Sequence, residues 1–195
     1  MYKICKSEAS MARQRQIEGC LLEMMSVSLY EEITVTDISD KMSMPRKAFY
    51  RYFDSKEDAL HALIDHTMAE YFGFSVDRSS MPHRSLHQEL EEYFTFWKSK
   101  RGLLGALDRS GLFGTLIDRS INFPVSDRIA LTKFLNEKDL SVSAEIFKFA
   151  FSGLVLTMIG WYKDGFRTST SDMSHLACRL LREPLFPNLG ELGIG

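Results

Sequence analysis

Apolar residues recur at intervals of three and four positions along most of this chain, which is the spacing of one buried face of an α-helix. The pattern predicts a first helix after about residue 9, and Gly102, Gly105, Gly111 and Gly114 predict short or kinked helices through about Arg119. The other predicted helices run from Lys56 to Phe72, over about 83–100, over about 139–163, and onward from Ser169. The chain is therefore expected to be all-α.

Two short helices are predicted close together near the N-terminus. Thr34 and Asp37 have nearly the spacing of a capping box, which predicts a helix from about Val35 to Met42. Pro45 is well placed at or just before the first turn of a second helix, Arg46–Tyr52.

The second of these helices hides Phe49, and with it Phe53, while it presents basic and aromatic side chains. Two short helices across a tight turn, the second with such an outer face, indicate a helix-turn-helix. From Lys41 to Lys56 five basic residues stand against Asp54, a local charge of +4, although the whole chain has a net charge of −2. Local positive charge of this kind suits phosphate. Without the helix-turn-helix pattern, a solvated charged face would explain it equally well.

This stretch resembles the DNA-binding region of the tetracycline-repressor (TetR) family. The resemblance rests on an ordered series of short motifs: Ile33-Thr34-Val35, Asp37-Ile38, Phe49-Tyr50-Arg51-Tyr52-Phe53 and Ser55-Lys56-Glu57. It extends well over about residues 10–65 and loosely over the rest. Two departures stand out. Ser43 replaces the usual turn glycine, at a position that can require a left-handed backbone, and Pro45 replaces a frequent serine, which removes a hydroxyl cap.

The resemblance implies a three-helix DNA-binding domain over 1–54, with the linking helix starting at 55, and a helical ligand-binding and dimerisation domain over 55–195. In the proposed mechanism Arg46, Lys47 and Ala48 approach base edges in the major groove, because arginine pairs with guanine and a small side chain accepts a thymine methyl. Tyr50, Tyr52 and Lys56 resemble phosphate-clamping positions, with Thr34 and Thr36 as weaker candidates. Plain core packing remains the alternative for both tyrosines.

The stretch from about Asp139 to Lys163 is apolar nearly all round, which predicts a helix buried on most sides. The last two helices resemble the dimer interface that is common among TetR-like regulators, and a purely intramolecular helix is the alternative. The interface residues expected on that basis include a stripe of small side chains: Ala150, Gly153, Thr157, Gly160, Trp161, Met173, Leu176 and Leu180.

Aromatic residues and methionines in the C-terminal two-thirds of the chain suggest a pocket for a small hydrophobic or aromatic ligand. The candidates are Tyr93, Phe94, Trp97, Phe113, Phe147, Phe151 and Met158. Each of them could equally be ordinary core. The resemblance raises the expectation that some line a cavity, and that the ligand releases the protein from its operator.

Composition limits the remaining possibilities. With 45% hydrophobic and 26% charged residues the chain has an ordinary globular composition, and its three cysteines form neither a disulfide framework nor a zinc motif. Its longest charge-free apolar run, Phe149–Tyr162, is shorter than the roughly 20 residues that span a bilayer. No signal peptide is recognisable. A cytoplasmic protein without a cofactor is expected.

Catalysis has little support in the sequence. His83, His87 and Glu91 share a helix face that could hold a metal, but solvated histidines explain them more simply, so no metal site is predicted. His61, His66 and His175 stand isolated in the sequence. The predicted function is a homodimeric DNA-binding transcriptional regulator, most often a repressor. A TetR-like helical dimer that acts on a protein partner, or a helical enzyme, is the alternative.

Overall fold

The computed structural model describes residues 2–3, 5, 7–79, 85–123 and 140–183, and it leaves the side chains of 74–79, 140–144 and 147 undescribed. Every regular element in these ranges is helical, which confirms the all-α prediction. The break that the sequence predicts near Pro82, all but the first four residues of the weakly patterned stretch 120–138, and the predicted tail beyond Pro184 lie outside the described residues.

Nine α-helices are described in these ranges. They are α1 (Glu8–Met25), α2 (Val35–Lys41), α3 (Arg46–Phe49), α4 (Lys56–Ser79), α5 (Leu86–Ser99), α6 (Arg101–Arg109), α7 (Phe113–Ile121), α8 (Leu140–Lys163) and α9 (Thr170–Arg182). A single 3₁₀ turn, Tyr30–Glu32, lies between α1 and α2. The short helices α6 and α7 confirm the expectation drawn from the glycines, and Gly111 takes a positive φ of 66° in the turn between them.

The chain forms two compact units. The first comprises Met1–Ser75 with Lys100–Ser126, and the second comprises Val76–Ser99 with Asp127–Gly195. Helix α4 passes from the first unit into the second along the chain. The predicted division into a DNA-binding domain over 1–54 and a ligand-binding and dimerisation domain over 55–195 stays a prediction.

The core of the first unit gathers the apolar residues that the sequence pattern assigned to it. The side chains of this core are all buried: Ile17, Leu21, Ile38, Met44, Phe49 and Phe53. The rings of Phe49 and Phe53 lie 5.5 Å apart between centroids. Burying two phenylalanines four positions apart fixes which side of α3 faces the core, and therefore which side faces solvent.

The start of α2 is held by the predicted capping box. The Thr34 hydroxyl accepts a hydrogen bond from the Asp37 amide at 3.2 Å, and the Asp37 carboxylate accepts one from the Thr34 amide at 2.7 Å. The hydrogen bonds from the Thr34 side chain and backbone lower the pKa of Asp37 below its usual value. The cap therefore needs the ionised carboxylate.

Substituting Thr34→Ala should lower the free energy of unfolding by about 0.5–2 kcal/mol, because the cap is lost. Thr36→Ala is the matched control, since Thr36 is exposed within the same helix and its loss should change stability by less than about 0.5 kcal/mol. Denaturant titration measures both. The pKa of Asp37 is lower in the folded protein than in the unfolded chain. The stability that ionised Asp37 contributes is therefore fully present above its unfolded-state pKa, and it is lost as the pH falls through its folded-state pKa. The difference in the free energy of unfolding between wild type and Thr34→Ala should therefore become smaller in acid. A difference that does not depend on pH would contradict the capping role of Thr34 and Asp37.

The second unit packs α5 against α8 and α9. The buried face of α5 comprises Leu86, Leu90, Tyr93, Phe94 and Trp97. The Ser169 hydroxyl caps α9 by accepting from the Asp172 amide at 3.0 Å, as the start signal in the sequence predicted.

Two of the histidines that stand isolated in the sequence have partners in the fold. His175 of α9 lies against His87 of α5 with ring centroids 4.1 Å apart, and His87 Nε2 is 2.8 Å from the Ser174 hydroxyl. His66 Nδ1 lies 2.9 Å from the buried Glu18 carboxylate. Each pairing joins residues far apart in sequence, so helical spacing alone could not reveal it. His83 lies outside the described residues.

Helix α8 is not buried on most sides within its own chain, contrary to the prediction. Its inner stripe is buried as expected at Phe151, Leu154, Met158 and Trp161. On the outer side, however, Phe149 is 77% exposed and Leu156 is 55% exposed. A helix that is apolar all round but covered on one side only leaves an apolar surface in the single chain.

Candidate nucleic-acid interface

Helices α2 and α3 are joined by a tight turn over 42–45. The Ser43 amide donates to the Asp40 carbonyl at 3.0 Å, and the Met44 amide donates to the Ser39 carbonyl at 2.9 Å. Ser43 has a φ of 49°, so the turn has the left-handed conformation that glycine adopts most easily. The serine tolerates this conformation at a cost of roughly 1 kcal/mol, and the turn that defines a helix-turn-helix is retained.

Helix α3 is shorter than the predicted Arg46–Tyr52, because it ends at Phe49. After Phe49 the backbone hydrogen bonds span three residues instead of four. The Arg51 amide donates to the Ala48 carbonyl at 3.3 Å, and the Tyr52 amide donates to the Phe49 carbonyl at 2.9 Å. This tightening is the usual way for a helix end to satisfy its last carbonyls. It also lets Phe53 follow Phe49 into the core.

The outer side of α3 carries positive charge that no acid neutralises. Arg46, Lys47 and Arg51 are exposed, and none has a carboxylate within ion-pair distance in the part of the chain that the structure describes. Arg46 makes only a long hydrogen bond, 3.5 Å, to the hydroxyl of Tyr50. Arg51 contributes to the local charge but is not among the predicted site residues, and its exposure places it on the same surface as Arg46 and Lys47.

The remaining predicted DNA-binding residues differ in their availability. Thr36 and Tyr50 are exposed, whereas Ala48 and Tyr52 are half-buried. Thr34 is exposed, but its hydroxyl is committed to Asp37 as the cap of α2 and donates to that carboxylate at 2.7 Å.

Lys56 has a structural role that the sequence did not suggest. Its ammonium donates to the carbonyl of Ile33 at 2.6 Å and to the carbonyl of Tyr30, and it lies 4.0 Å from the centre of the Tyr30 ring. Partial burial lowers the pKa of Lys56. An ammonium held by carbonyls between α1 and α2 is poorly placed to clamp a phosphate, so we omit Lys56 from the proposed interface.

Several solved structures that are similar to this chain are regulators of transcription. No protein-family model and no curated protein matches the chain. The similar structures include the dihydroxyacetone kinase operon activator DhaS, with 15% identity, a TM-score of 0.57 and coverage of 94% of this chain and 98% of that one. The fatty acid degradation regulator FadR from Bacillus halodurans gives 13% identity, a TM-score of 0.59 and coverage of 93% and 98%. A TetR-family regulator from Streptomyces coelicolor gives 19% identity, a TM-score of 0.57 and coverage of 88% and 79%.

The chain has a TetR-like fold. In this fold the segment α2–turn–α3 is the helix-turn-helix, and its geometry here agrees with the resemblance that the sequence motifs suggested. At these levels of identity the comparisons establish the architecture, and residue roles have to be argued from this chain.

The residues predicted to form a dimer interface divide into two groups by their exposure. Gly153, Gly160, Leu176 and Leu180 are exposed, and Ala150 and Thr157 are half-buried. Trp161 and Met173, in contrast, are 4% and 5% exposed, because both pack inside their own unit. These two residues support the fold of one chain and are not available to a partner.

A shallow cavity of about 290 Å³ lies on the outer surface of α8 and α9. Its lining is almost wholly apolar and comprises Phe149, Ala150, Ser152, Gly153, Leu154, Leu156, Thr157, Ala177, Leu180 and Leu181. A Cβ added at Gly153 or Gly160 would meet nothing within 4 Å, so packing within the chain does not require glycine there. Because glycine inside a helix costs roughly 0.5–1 kcal/mol relative to alanine, both positions call for an explanation outside the single chain.

The predicted ligand residues also fall into different places. Tyr93, Phe94, Trp97, Phe151 and Met158 are buried in the second unit. Phe113 is half-buried and belongs to the first unit. The Phe147 side chain lies outside the described residues.

No helix in the described ranges is long and apolar enough to cross a membrane. Within the same ranges, no group of three or more histidine, cysteine, aspartate or glutamate side chains is arranged to hold a metal ion.

Proposed function

We propose that this protein is a homodimeric, sequence-specific DNA-binding regulator of transcription that acts in the cytoplasm without an enzymatic activity. The observation that carries the proposal is the outer surface of α3, where Arg46, Lys47 and Arg51 are exposed and have no acidic partner among the described residues. Unpaired cations on a helix-turn-helix match the phosphates and guanine edges of a major groove. Phe49, buried on the opposite side, holds that surface outward.

The base contacts in this proposal come from Arg46, Lys47 and Ala48, and the phosphate contacts come from Tyr50, Tyr52 and Arg51, with Thr36 at the preceding helix. Arg46 is the strongest candidate for reading guanine, because the one hydrogen bond of its guanidinium to a described residue is the long contact to Tyr50. Phosphate contacts fix register, whereas base contacts determine sequence.

A homodimer is proposed because the outer surface of α8 and α9 is apolar, shallow and lined with small residues. Exposed Phe149, Leu156, Leu176 and Leu180 would be covered by the same surface of a second chain. Gly153 and Gly160 would let the two α8 helices approach closely, which accounts for glycine where the single chain does not need it. Two symmetric helix-turn-helix units bind half-sites about 34–36 Å apart.

Selection from a randomised double-stranded DNA library tests this function. We expect the full chain to enrich a two-fold symmetric site with half-sites about one helical turn apart. That enriched sequence, referred to below as the selected duplex, serves as the probe for the variants. Absence of enrichment at low salt would contradict the regulator and favour a TetR-like dimer that binds another protein.

We further propose that the second unit binds a small aromatic or hydrophobic ligand that releases the protein from DNA. Support comes from the indole N–H of Trp97, which is fully buried and has no hydrogen-bond acceptor among the described residues. In the same unit Trp161 donates its N–H to the Thr168 carbonyl at 2.9 Å. A buried unsatisfied donor costs about 1–3 kcal/mol, so an acceptor oxygen on a ligand would gain from reaching Trp97.

Substituting Trp97→Phe should weaken the ligand by about fivefold or more, since one hydrogen bond is worth about 1 kcal/mol. A panel of aromatic carboxylic acids, aldehydes and ketones, screened for release of the selected duplex, supplies the probe compounds. Titration calorimetry of each active compound then measures the loss, with Trp161→Phe as the control for shortening a buried tryptophan. Equal affinity of the compound for wild type and Trp97→Phe would contradict a hydrogen bond from Trp97 to the ligand.

A further inference from the structure

The first residues of the chain are tied to the end of the proposed recognition helix. The ammonium of Lys3 donates to the Tyr50 carbonyl and lies 3.1 Å from the Asp54 carboxylate. The backbone amide of Lys3 donates to the Tyr52 carbonyl at 3.2 Å. We call Tyr2 and Lys3 the N-terminal strap.

The N-terminal strap contacts the C-terminal end of α3, where the helix has the fewest hydrogen bonds of its own. A helix of four residues is far too short to be stable alone, and the last carbonyls of any helix lack partners within it. Lys3 supplies a donor to the carbonyl of Tyr50, the C-cap residue that follows α3, and places a positive charge at the negative end of the helix dipole. A residue more than forty positions away along the chain thus acts as the C-terminal cap of α3.

The strap is itself anchored on both sides of Lys3. The buried Gln14 of α1 donates its side-chain amide to the Lys3 carbonyl at 3.0 Å. The Tyr2 hydroxyl donates to Asp65 of α4 at 3.0 Å, and its ring lies edge-on against His66 with 5.7 Å between centroids.

Asp65 is held in turn by Arg119 of α7, whose Nε donates to it at 2.8 Å. Burial raises the pKa of Tyr2 to about 12, so the hydroxyl keeps its proton and remains a donor at neutral pH. The end of α3 is therefore connected through the strap to α1, α4 and α7 of the same unit.

We propose that Lys3 is a positioning residue for DNA recognition, which holds the C-terminal end of α3 so that Arg46 and Lys47 meet base edges in register. The inference rests on the proposed DNA binding. Hydrogen bonds to base edges depend steeply on distance and angle, so a small rotation of α3 weakens them. Phosphate contacts from flexible side chains tolerate such a rotation better.

A direct phosphate contact by Lys3 would also weaken binding on mutation, but it predicts a different result. Removing a phosphate contact lowers affinity for every sequence and reduces the slope of log K against log salt by about one. Removing a positioning contact lowers affinity for the specific site and leaves that slope unchanged. The two roles are therefore separable by salt titration.

The test compares Lys3→Gln with Arg167→Gln, an equal loss of charge at a position that is exposed between α8 and α9. Affinity for the selected duplex and for a scrambled duplex is measured by fluorescence anisotropy at several salt concentrations. We expect Lys3→Gln to weaken the selected duplex about tenfold and the scrambled duplex less than twofold, with an unchanged slope. Arg167→Gln should change neither. Equal losses on both duplexes with a reduced slope, or no loss, would overturn the inference.

Hydrogen exchange of the free protein separates failure of this inference from failure of the regulator proposal. We expect Lys3→Gln, and to a smaller extent Tyr2→Phe, to speed amide exchange at Arg51, Tyr52 and Phe53, where the strap holds the backbone. Unchanged exchange there would overturn the positioning role even if no duplex is bound. If exchange is faster in Lys3→Gln but the wild-type protein binds no DNA, the proposed regulator function is contradicted. The strap would then still hold the end of α3, but it would have no role in DNA recognition.

Discussion

Replacing both Arg46 and Lys47 by alanine should weaken binding to the selected duplex by about 30-fold to more than 10⁴-fold. Each good contact to a base edge is worth about 1–3 kcal/mol, so two contacts supply about 2–6 kcal/mol of the specific affinity. Both side chains are exposed and neither is paired with an acid in the part of the chain that the structure describes, so their removal should leave the fold intact. Fluorescence anisotropy measures the affinity, and circular dichroism verifies the fold.

The matched control for charge is Arg101→Ala combined with Arg167→Ala, which removes two exposed cations outside the helix-turn-helix. This control should change the affinity for the selected duplex by less than about threefold at physiological salt. An equal loss in the two double variants would show that α3 contributes only general charge. No loss in Arg46→Ala/Lys47→Ala would remove α3 from the interface altogether.

Substituting Leu156→Glu should convert the dimer to a monomer and abolish tight binding to the selected duplex. Leu156 is 55% exposed in the single chain, so the glutamate can remain solvated there and the chain should still fold. In a symmetric interface the same substitution buries two like charges close together, which costs several kcal/mol. Sedimentation should then report the mass of one chain, 22.4 kDa.

Val27→Glu is the control for an apolar-to-acidic change, because Val27 is 83% exposed after α1 in the first unit. It should leave the dimer intact. A Leu156→Glu protein that remains dimeric and binds DNA normally would show that the outer surface of α8 and α9 is covered by something other than a second copy. A wild-type chain that sediments as a monomer would contradict the dimer directly.

Features set by neighbouring residues were predictable from the sequence. The cap of α2 by Thr34 and Asp37, the burial of Phe49 and Phe53, and the left-handed turn at Ser43 all depend on spacings of three or four residues or on a single backbone conformation. Helical periodicity and cap chemistry encode such features within one turn of the helix.

Features that join distant parts of the chain were not predictable in this way. Nothing near Lys3 indicates that it meets Tyr50 and Tyr52, and nothing near Lys56 indicates that it binds the carbonyls of Tyr30 and Ile33. A lysine beside a helix-turn-helix has the same local pattern whether it binds phosphate or backbone. Only the folded arrangement distinguishes the two roles.

The length of α3 and the surroundings of α8 illustrate two further limits. The pattern predicted a helix to Tyr52, but the backbone tightens after Phe49 while Phe53 stays buried, so the spacing of the apolar residues did not reveal where the helix ends. On α8 an apolar residue such as Phe149 has the same pattern whether its own chain or a second chain covers it. Hydrophobic periodicity indicates which residues are expected to be buried, but it does not identify whether the same chain or a second chain buries them.

The most direct test of the central claim is the affinity of the wild-type protein for the selected duplex and for a scrambled duplex between 50 and 200 mM salt. Fluorescence anisotropy with a stoichiometric titration should show two chains on each selected duplex. Affinity should fall by about 10³–10⁵ across that range if roughly 6–10 phosphates are contacted, and the selected duplex should stay favoured throughout. Equal, weak binding to both duplexes, or none at low salt, would contradict a sequence-specific regulator.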